Sequence, residues 1–311
     1  MDLRAAAFCY PIVLLLLLWG GLAPGLSAAQ SSPSLQSTFP VSEQVATAGL
    51  VASGLSLMIF QEPLVHTLQP SPRITGTLPG EVAVSNALYL GEGKTLLNGV
   101  PDFLGDTLFP YGALAFYTGR AAVAGVTGQL QHDILPLHSF LTFAQAYGLN
   151  LTLTQTVKIL VGRERPYFAL NRQPTVERTD DATLSFFSGH SSSSFCLAAF
   201  VARDLTDALD QHALPDAPAS TRFWLLRVLP SAGLYSVAGL VATSRVVDQQ
   251  HYLSDVLVGS LVGAVVGNGI YALHYDWAGQ PKTRGEKTAL RFQATSAGPQ
   301  MPLYLSWGGQ F

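Results

Sequence analysis

The stretch Ser244-Arg-Val-Val-Asp-Gln-Gln-His251-Tyr-Leu-Ser-Asp255, which leads into a long apolar run, carries the most structural information in this chain. His251 and Asp255 are four residues apart, which on a helix places them on one face and within reach of one another. Asp248 is placed to cap that helix, so His251 would fall in its first turn, where the dipole disfavours an imidazolium. A carboxylate bonded to one ring nitrogen leaves the other nitrogen as a base or nucleophile.

The pair also resembles half of a metal site. Ligand sites of that kind combine several His, Cys or carboxylate side chains at short spacings. No such cluster accompanies His251 and Asp255 in the sequence, so no metal is expected.

Upstream, the segment Lys158-Ile-Leu-Val-Gly-Arg-Glu-Arg165-Pro166 ends an apolar stretch with two cations. The stretch 149–161 predicts a helix that ends before Pro166. Lys158 and Arg165 are seven residues apart, about two turns, so both are expected on one face, roughly 10 Å apart along the axis. Such a pair suits a phosphate, which Arg binds bidentately; a solvated basic helix end is the other interpretation.

Between these segments, Phe187-Ser188-Gly189-His190 precedes a run, 191–201, that contains no helix breaker. Ser188 is a predicted N-cap, and Gly189 allows a backbone to approach a ligand closely. The N–H groups of a helix start bind anions, and His190 would lie at the edge of that site, placed to give or take a proton. Taken alone, the segment is also typical of an ordinary capped helix with a histidine in its first turn.

In this order and spacing, the three segments resemble the superfamily of type 2 phosphatidic acid phosphatases, bacterial class A acid phosphatases and vanadium haloperoxidases. The signature of that superfamily is Lys-x6-Arg-Pro, then Pro-Ser-Gly-His, then Ser-Arg-x5-His-x3-Asp. The first and third elements match at every defined position, whereas Phe187 stands where the family usually has proline. The resemblance covers roughly residues 140–275.

The resemblance implies a phosphoric ester hydrolase of the acid phosphatase or phosphatidate phosphatase type. It would cleave a phosphomonoester or pyrophosphate, with lipid phosphate favoured, and would need no cofactor. His251 would attack phosphorus to give a phosphohistidine, Asp255 would orient it, and His190 would protonate the leaving oxygen and then activate water. The phosphate would be bound by the remaining signature residues: Lys158, Arg165, Ser188, Gly189 and Arg245.

Two other functions share this signature. A vanadium-dependent haloperoxidase is disfavoured by the modest length of 311 residues and by the lack of a long N-terminal helical domain. A catalytically inactive phosphate-binding relative is disfavoured because every catalytic position is filled. The net charge of −3 provides no basic field for nucleic acid. Four aromatic residues near the motifs predict a preference for a lipid chain: Tyr167, Phe168, Phe186 and Phe187.

Composition divides the chain into four parts. Residues 1–29 contain five consecutive leucines before a Ser-Ala-Ala site and predict a secretory signal peptide, with an uncleaved anchor as the alternative. Residues 30–40 are a predicted linker rich in Ser, Gln and Pro. Residues 41–276 are the predicted helical phosphatase domain, and residues 277–311 are a predicted extension. The signal peptide predicts export to the periplasm or the extracellular space.

The apolar segments predict an all-α bundle of about six core helices, with a short C-terminal β-hairpin formed by alternating runs at 290–294 and 303–307. Segment 257–273 is long enough to cross a membrane. The helix after His190, however, meets Arg203, Asp204 and Asp207 within four turns and falls short of a span. We therefore expect a soluble or surface-associated bundle with contact to a membrane surface as an option; the oligomeric state stays open.

Overall fold

The computed structural model describes residues 34–68, 77–78, 80–131, 133–172, 180–212 and 218–288. The helices of this part of the chain are α1 (Leu35–Thr38), α2 (Val41–Ile59), α3 (Gln61–Leu68), α4 (Glu81–Leu88), α5 (Val100–Phe103), α6 (Phe109–Val126), α7 (Leu135–Val161), α8 (Pro166–Ala169), α9 (Gly189–His212), α10 (Ala219–Val247), α11 (Leu253–His274) and α12 (Arg284–Thr288). Six of these have 18 or more residues. The predicted all-α bundle is thereby confirmed for the described residues.

Helix α9 lies at the centre of the bundle and packs against α7, α10 and α11, while α2 packs along α7. Aromatic rings fill the space between these helices. Tyr117 of α6 stacks on Phe143 of α7 at 4.7 Å between ring centroids, and Phe200 of α9 meets Tyr271 of α11 at 5.4 Å. This core fixes the helices whose ends carry the signature residues.

Helices α9 and α11 pack with their main chains in contact. A Cβ atom added at three glycines of α11 would lie 2.0–2.6 Å from carbonyl oxygens of the α9 side: Gly259 meets Ser188, Gly263 meets Ser192 and Gly267 meets Cys196. Small residues spaced four apart are what allows two helices to approach this closely. The start of α9 is consequently held against the start of α11.

At the far end of the bundle, Lys287 connects α12 to three other helices, α1, α2 and α11. Its Nζ donates hydrogen bonds to Glu43 Oε2 at 2.7 Å, to His274 Nδ1 at 2.8 Å and to the carbonyl oxygen of Thr38. Phe39 is fully buried and stacks on His274 at 4.9 Å. The last part of the predicted linker is therefore helix α1 and buried core, because Phe39 packs against the cluster around Lys287.

Two helices, α10 and α11, are long and apolar enough to cross a membrane, judged by length and composition. Together α2 and α3, which are bent by 72°, make a third candidate if they form one span. The charges on α9 that argued against a membrane are paired inside the bundle, since Asp204 accepts hydrogen bonds from Tyr117, Ser139 and Arg120. These helices favour association with a membrane over the predicted soluble body.

The predicted signal peptide and both strands of the predicted hairpin lie outside the described residues. The segment just before that hairpin is described. It contains a bridge between Tyr275 and Pro281 followed by helix α12.

Candidate active site

His251 lies in the turn between α10 and α11, one residue before the N-cap of α11. The N-cap is Tyr252, and the carboxylate of Asp255 at the third helical position accepts the Tyr252 N–H at 3.0 Å. Asp248 caps the end of α10 instead and accepts the N–H of Leu96 at 2.8 Å. The prediction that His251 sits in the first turn of a helix capped by Asp248 is therefore wrong.

The imidazole of His251 reaches Asp255 through a serine. The distance from His251 Nδ1 to Asp255 Oδ2 is 3.9 Å, too long for a hydrogen bond. Ser185 Oγ lies between them, 2.5 Å from Asp255 Oδ2 and 3.5 Å from His251 Nδ1. All three side chains are buried. Ser185 was not predicted from the sequence, because the four-residue spacing of His251 and Asp255 suggested a direct contact between these two side chains.

Arg163 holds the other oxygen of Asp255. Its Nη1 lies 2.5 Å from Asp255 Oδ1, and its Nη2 lies 2.5 Å from Glu81 Oε2. The guanidinium also stacks over the ring of Tyr252, 4.3 Å from its centroid. A buried carboxylate with so many donors cannot easily reorient. Arg163 occupies one of the undefined positions of the first motif, so the motif does not identify it as a site residue. Its burial in the structure does.

The ring of His251 is neutral. Burial holds the pKa of this imidazole well below its usual range, and the nearby charges of Arg165 and Lys158 lower it further. Arg165 Nη1 lies 3.4 Å from His251 Nε2, and since Arg can only donate, Nε2 carries the lone pair. The proton is then on Nδ1, facing Ser185.

The two cations of the first motif converge on the site from different elements. Lys158 lies in the last turn of α7, which ends at Gly162 in the left-handed conformation with φ of 59°. Arg165 lies beyond that turn as the extended N-cap of α8, and its side chain pairs with Asp181 at 2.7 Å. Because Gly162 ends α7, the prediction that both cations share one helix face is wrong. The reversal at Gly162 brings them together.

The start of α9 supplies the anion-binding element. Ser188 Oγ accepts the N–H of Ser191 at 3.4 Å, as expected of an N-cap. A Cβ added at Gly189 would lie 3.5 Å from Lys158 Nζ, so the ammonium group is next to the helix start. The predicted neighbourhood of Lys158, Ser188 and Gly189 is present in the structure.

Two aspartates ahead of α6 contact signature residues. Asp106 Oδ1 pairs with His190 Nε2, and Asp102 Oδ1 pairs with Arg245 Nη2. Both lie in residues 100–108, four apart, and Arg245 also lies 3.6 Å from Asp248 Oδ2. Local sequence patterns do not indicate these contacts, because they join positions more than 80 residues apart.

The four aromatic residues that predicted a preference for a lipid chain do not form one exposed surface. Tyr167 and Phe187 are 6% and 3% exposed and belong to the protein interior, whereas Phe168 and Phe186 are partly exposed. An apolar groove of about 200 Å³ lies elsewhere, beginning at Leu108 and Phe109, just past Asp106.

The part of the chain that carries the three motifs is similar to one family of known proteins. Residues 139–278 match the family model of the PAP2 superfamily. A PA-phosphatase related-family protein of Dictyostelium discoideum is 31% identical over 140 residues, 45% of this chain and 49% of that protein. Phospholipid phosphatase 1 of Rattus norvegicus is 28% identical over 191 residues, 52% of this chain and 64% of that protein. The chain thus spans about half to two thirds of the length of these relatives.

Among solved structures, the chain is similar to the first transmembrane PAP2 type phosphatidylglycerolphosphate phosphatase from Bacillus subtilis. The two are 22% identical, with a TM-score of 0.44 over 71% of this chain and 94% of that chain.

Proposed function

We propose that this chain is a phosphatase that hydrolyses a phosphomonoester, with a lipid phosphate as the favoured substrate. The match of residues 139–278 to the family model of the PAP2 superfamily supports the proposal. One observation carries the proposal. A neutral, buried imidazole, His251, presents the lone pair of Nε2 beside the guanidinium of Arg165. A nucleophile next to fixed cations is the arrangement that phosphoryl transfer requires.

The phosphate would bind among the cations of the three motifs. Lys158 would hold one of its oxygens from the end of α7, Arg165 a second from the start of α8, and Arg245 a third from the end of α10. Ser188 and the N–H of Gly189 would add donors from the start of α9. These donors are in place before the substrate arrives, so they stabilise the transition state without reorganisation.

The reaction would proceed in two steps. Nε2 of His251 forms a bond to phosphorus as the bond to the leaving oxygen breaks, and His190 gives that oxygen its proton. His190 then takes a proton from water, whose oxygen attacks phosphorus and releases His251. Ser185 and Asp255 would keep the Nδ1 proton in place through both steps.

A lipid substrate is compatible with the apolar helices on the outside of the molecule. The two apolar helices α10 and α11 would place the protein in a membrane, and the turn between them carries His251. A lipid headgroup could then enter the site while its chains stay in the apolar phase. The relatives named above include a phospholipid phosphatase, which supports the same substrate class. The predicted export stays a prediction.

The test is phosphate release by the full chain in detergent micelles, from a lipid phosphate and from an aryl phosphate, with EDTA present. We expect release from both, at least about a thousandfold lower in His251→Ala. His66→Ala, which changes an exposed histidine of α3, is the matched control and should keep wild-type activity. Equal activity of His251→Ala and wild type would contradict the proposal. Peroxide and halide turnover with added vanadate, in place of phosphate release, would indicate the haloperoxidase.

A further inference from the structure

The proposed reaction uses two imidazoles, and the motifs supply a carboxylate for one of them. Asp255 belongs to the same motif as His251, whereas the second motif contains no carboxylate for His190. In the structure, Nε2 of His190 pairs with Oδ1 of Asp106. Asp106 precedes residues 139–278, so the family match does not include it. This contact therefore adds a carboxylate to the site from outside the motifs.

Asp106 lies on a short π-helix, Leu104–Leu108, that packs against the ring of His190. A Cβ atom added at Gly105 would lie 3.4 Å from His190 Cδ2 and 2.7 Å from Val241 Cγ1 of α10. Cδ2 and Nε2 are bonded neighbours in the imidazole ring, so the main chain at Gly105 and the carboxylate of Asp106 meet the same edge. π-Helices are rare and occur frequently at functional sites. The close packing at Gly105 fixes where Asp106 stands beside His190.

The contact decides which nitrogen of His190 can act on a substrate. A carboxylate accepts hydrogen bonds, so a proton stays on Nε2, facing Asp106. Nδ1 is then the nitrogen that can give a proton to a leaving oxygen or take one from water. In His251 the assignment is reversed, because Nε2 lies beside Arg165 and Nδ1 faces Ser185. Each imidazole thus has one nitrogen held by the protein and one that can take part in the chemistry.

We propose that Asp106 is a positioning residue for His190, the general acid and base of the proposed phosphatase reaction. The role rests on that proposed function and adds a residue to it. In the first step Nδ1 of His190 loses its proton to the leaving oxygen as the bond from that oxygen to phosphorus breaks. In the second step Nδ1 takes a proton from water, whose oxygen bonds to phosphorus while the bond to His251 breaks. Asp106 keeps the Nε2 proton in place through both steps and exchanges none itself.

The dependence of the reaction on its leaving group tests this role. A 4-nitrophenolate group leaves with little help from an acid, whereas an unsubstituted phenol leaves far more readily when a proton is supplied. The probes are therefore 4-nitrophenyl phosphate and phenyl phosphate, assayed with the full chain in detergent micelles. In Asp106→Asn we expect kcat/KM to fall about 10- to 100-fold with phenyl phosphate and less than about threefold with 4-nitrophenyl phosphate. We compare kcat/KM because it reports the step in which the leaving oxygen departs.

Two further variants show whether Asp106 acts through His190. His190→Ala already lacks the acid, so adding Asp106→Asn to it should change kcat/KM no further. Thr107→Ala changes an exposed neighbour on the same π-helix and should keep wild-type values with both esters. The side chains of Asp106 and His190 are 55% and 30% exposed, so loss of their ion pair should hardly alter thermal stability.

Labelling of histidines with diethyl pyrocarbonate, read by peptide mass spectrometry, reports the contact without any turnover. The reagent attacks a ring nitrogen that has a lone pair. His190 should therefore react faster in Asp106→Ala than in wild type, because its Nε2 is no longer held by a carboxylate. His66, an exposed histidine of α3, is the internal reference. Unchanged labelling of His190 would overturn the contact.

The outcomes keep this role apart from the phosphatase itself. An equal fall with both esters would mean that Asp106 only supports the fold of the site, and a rise would mean that it competes with the substrate; either result overturns the proposal. A further fall in the His190→Ala background overturns the link between the two residues. Absence of phosphate release by the wild type overturns the phosphatase and with it the catalytic role, while faster labelling of Asp106→Ala would still support the contact.

Discussion

Asp255 is completely buried and shares its oxygens among Arg163, Ser185 and the N–H of Tyr252. It therefore acts on His251 through the hydroxyl group of Ser185. We expect Ser185→Ala to lower kcat about 10- to 100-fold, because the imidazole loses the group that fixes its orientation. KM should change little, since no phosphate donor is removed.

Steady-state kinetics on an aryl phosphate would measure this effect. Ser53→Ala, an exposed serine of α2, is the control and should behave as wild type. A rise in KM with unchanged kcat would show that Ser185 binds substrate rather than positioning His251.

Lys158 should make phosphate binding depend on pH. Burial, together with the charge of Arg165, lowers the pKa of this ammonium group to about 8. Below that pH the group is charged and attracts phosphate; above it the proton is lost, so KM should rise as pH increases from 8 to 10. KM measured against pH in wild type and in Lys158→Arg would check this. The variant keeps its charge in that range, so an identical rise in both proteins would contradict the role of Lys158.

The turn before α11 shows why element boundaries were harder to predict than residue types. His251 and Asp255 have a spacing that fits one helix face, yet Asp255 is the third residue of α11 and His251 lies outside it. Tyrosine is an unusual N-cap, so nothing in the sequence marked the start at Leu253. The same holds at Gly162, whose left-handed conformation ends α7 one turn earlier than Pro166 indicated. The roles of the motif residues stay a prediction, which rests on their chemistry and not on the phase of a helix.

The contact between α9 and α11 should tolerate no side chain at its centre. Gly263→Ala would place a methyl group 2.0 Å from the carbonyl oxygen of Ser192, so the helices must separate. We expect a loss of about 1–3 kcal/mol in stability and a larger fractional loss of activity, because His190 and His251 would move apart.

Gly269→Ala is the matched control in the same helix. An added Cβ there meets nothing within 4 Å, so the substitution should be neutral or slightly stabilising. Thermal unfolding and kcat of both variants in micelles would measure the difference. Equal behaviour of the two would mean that the close helix contact does not hold the site together.

At the scale of the whole molecule, the two ends of the described chain meet away from the site. Lys287 binds Glu43 and the carbonyl oxygen of Thr38, which are 244 and 249 residues away in the sequence. Lys287→Met should lower stability by about 1–3 kcal/mol because three acceptors lose their donor. Since this cluster touches no signature residue, kcat should stay unchanged.

Thermal unfolding together with kcat tests this separation. Arg284→Met, an exposed cation of the same helix, should leave both quantities unchanged. A fall in kcat for Lys287→Met without loss of stability would show that the far end of the bundle affects catalysis.

The all-α architecture followed from the apolar segments of the sequence, and the predicted helical stretch 149–161 is the second half of α7. Long-range contacts could not be predicted this way. Asp102 and Asp106 meet Arg245 and His190 only because α5 and the π-helix after it, Leu104–Leu108, fold over the site. The charged residues of α9 were taken as an argument against a membrane. The sequence does not show that Asp204 is paired, because its partner Arg120 lies on another helix, α6. Contacts between segments that are distant in the chain cannot be inferred from local composition.

The glycines of α11 also bear on how this protein can diverge. Gly259, Gly263 and Gly267 face α9, whereas Leu257, Leu261 and Val265 of the same helix are 59%, 65% and 61% exposed. The distance between the imidazoles of His190 and His251 is thus set where the main chains of the two helices touch, not by the outer side chains. Substitutions at those outer positions, including ones that suit a bilayer of different thickness or composition, should leave the distance between the two histidines unchanged.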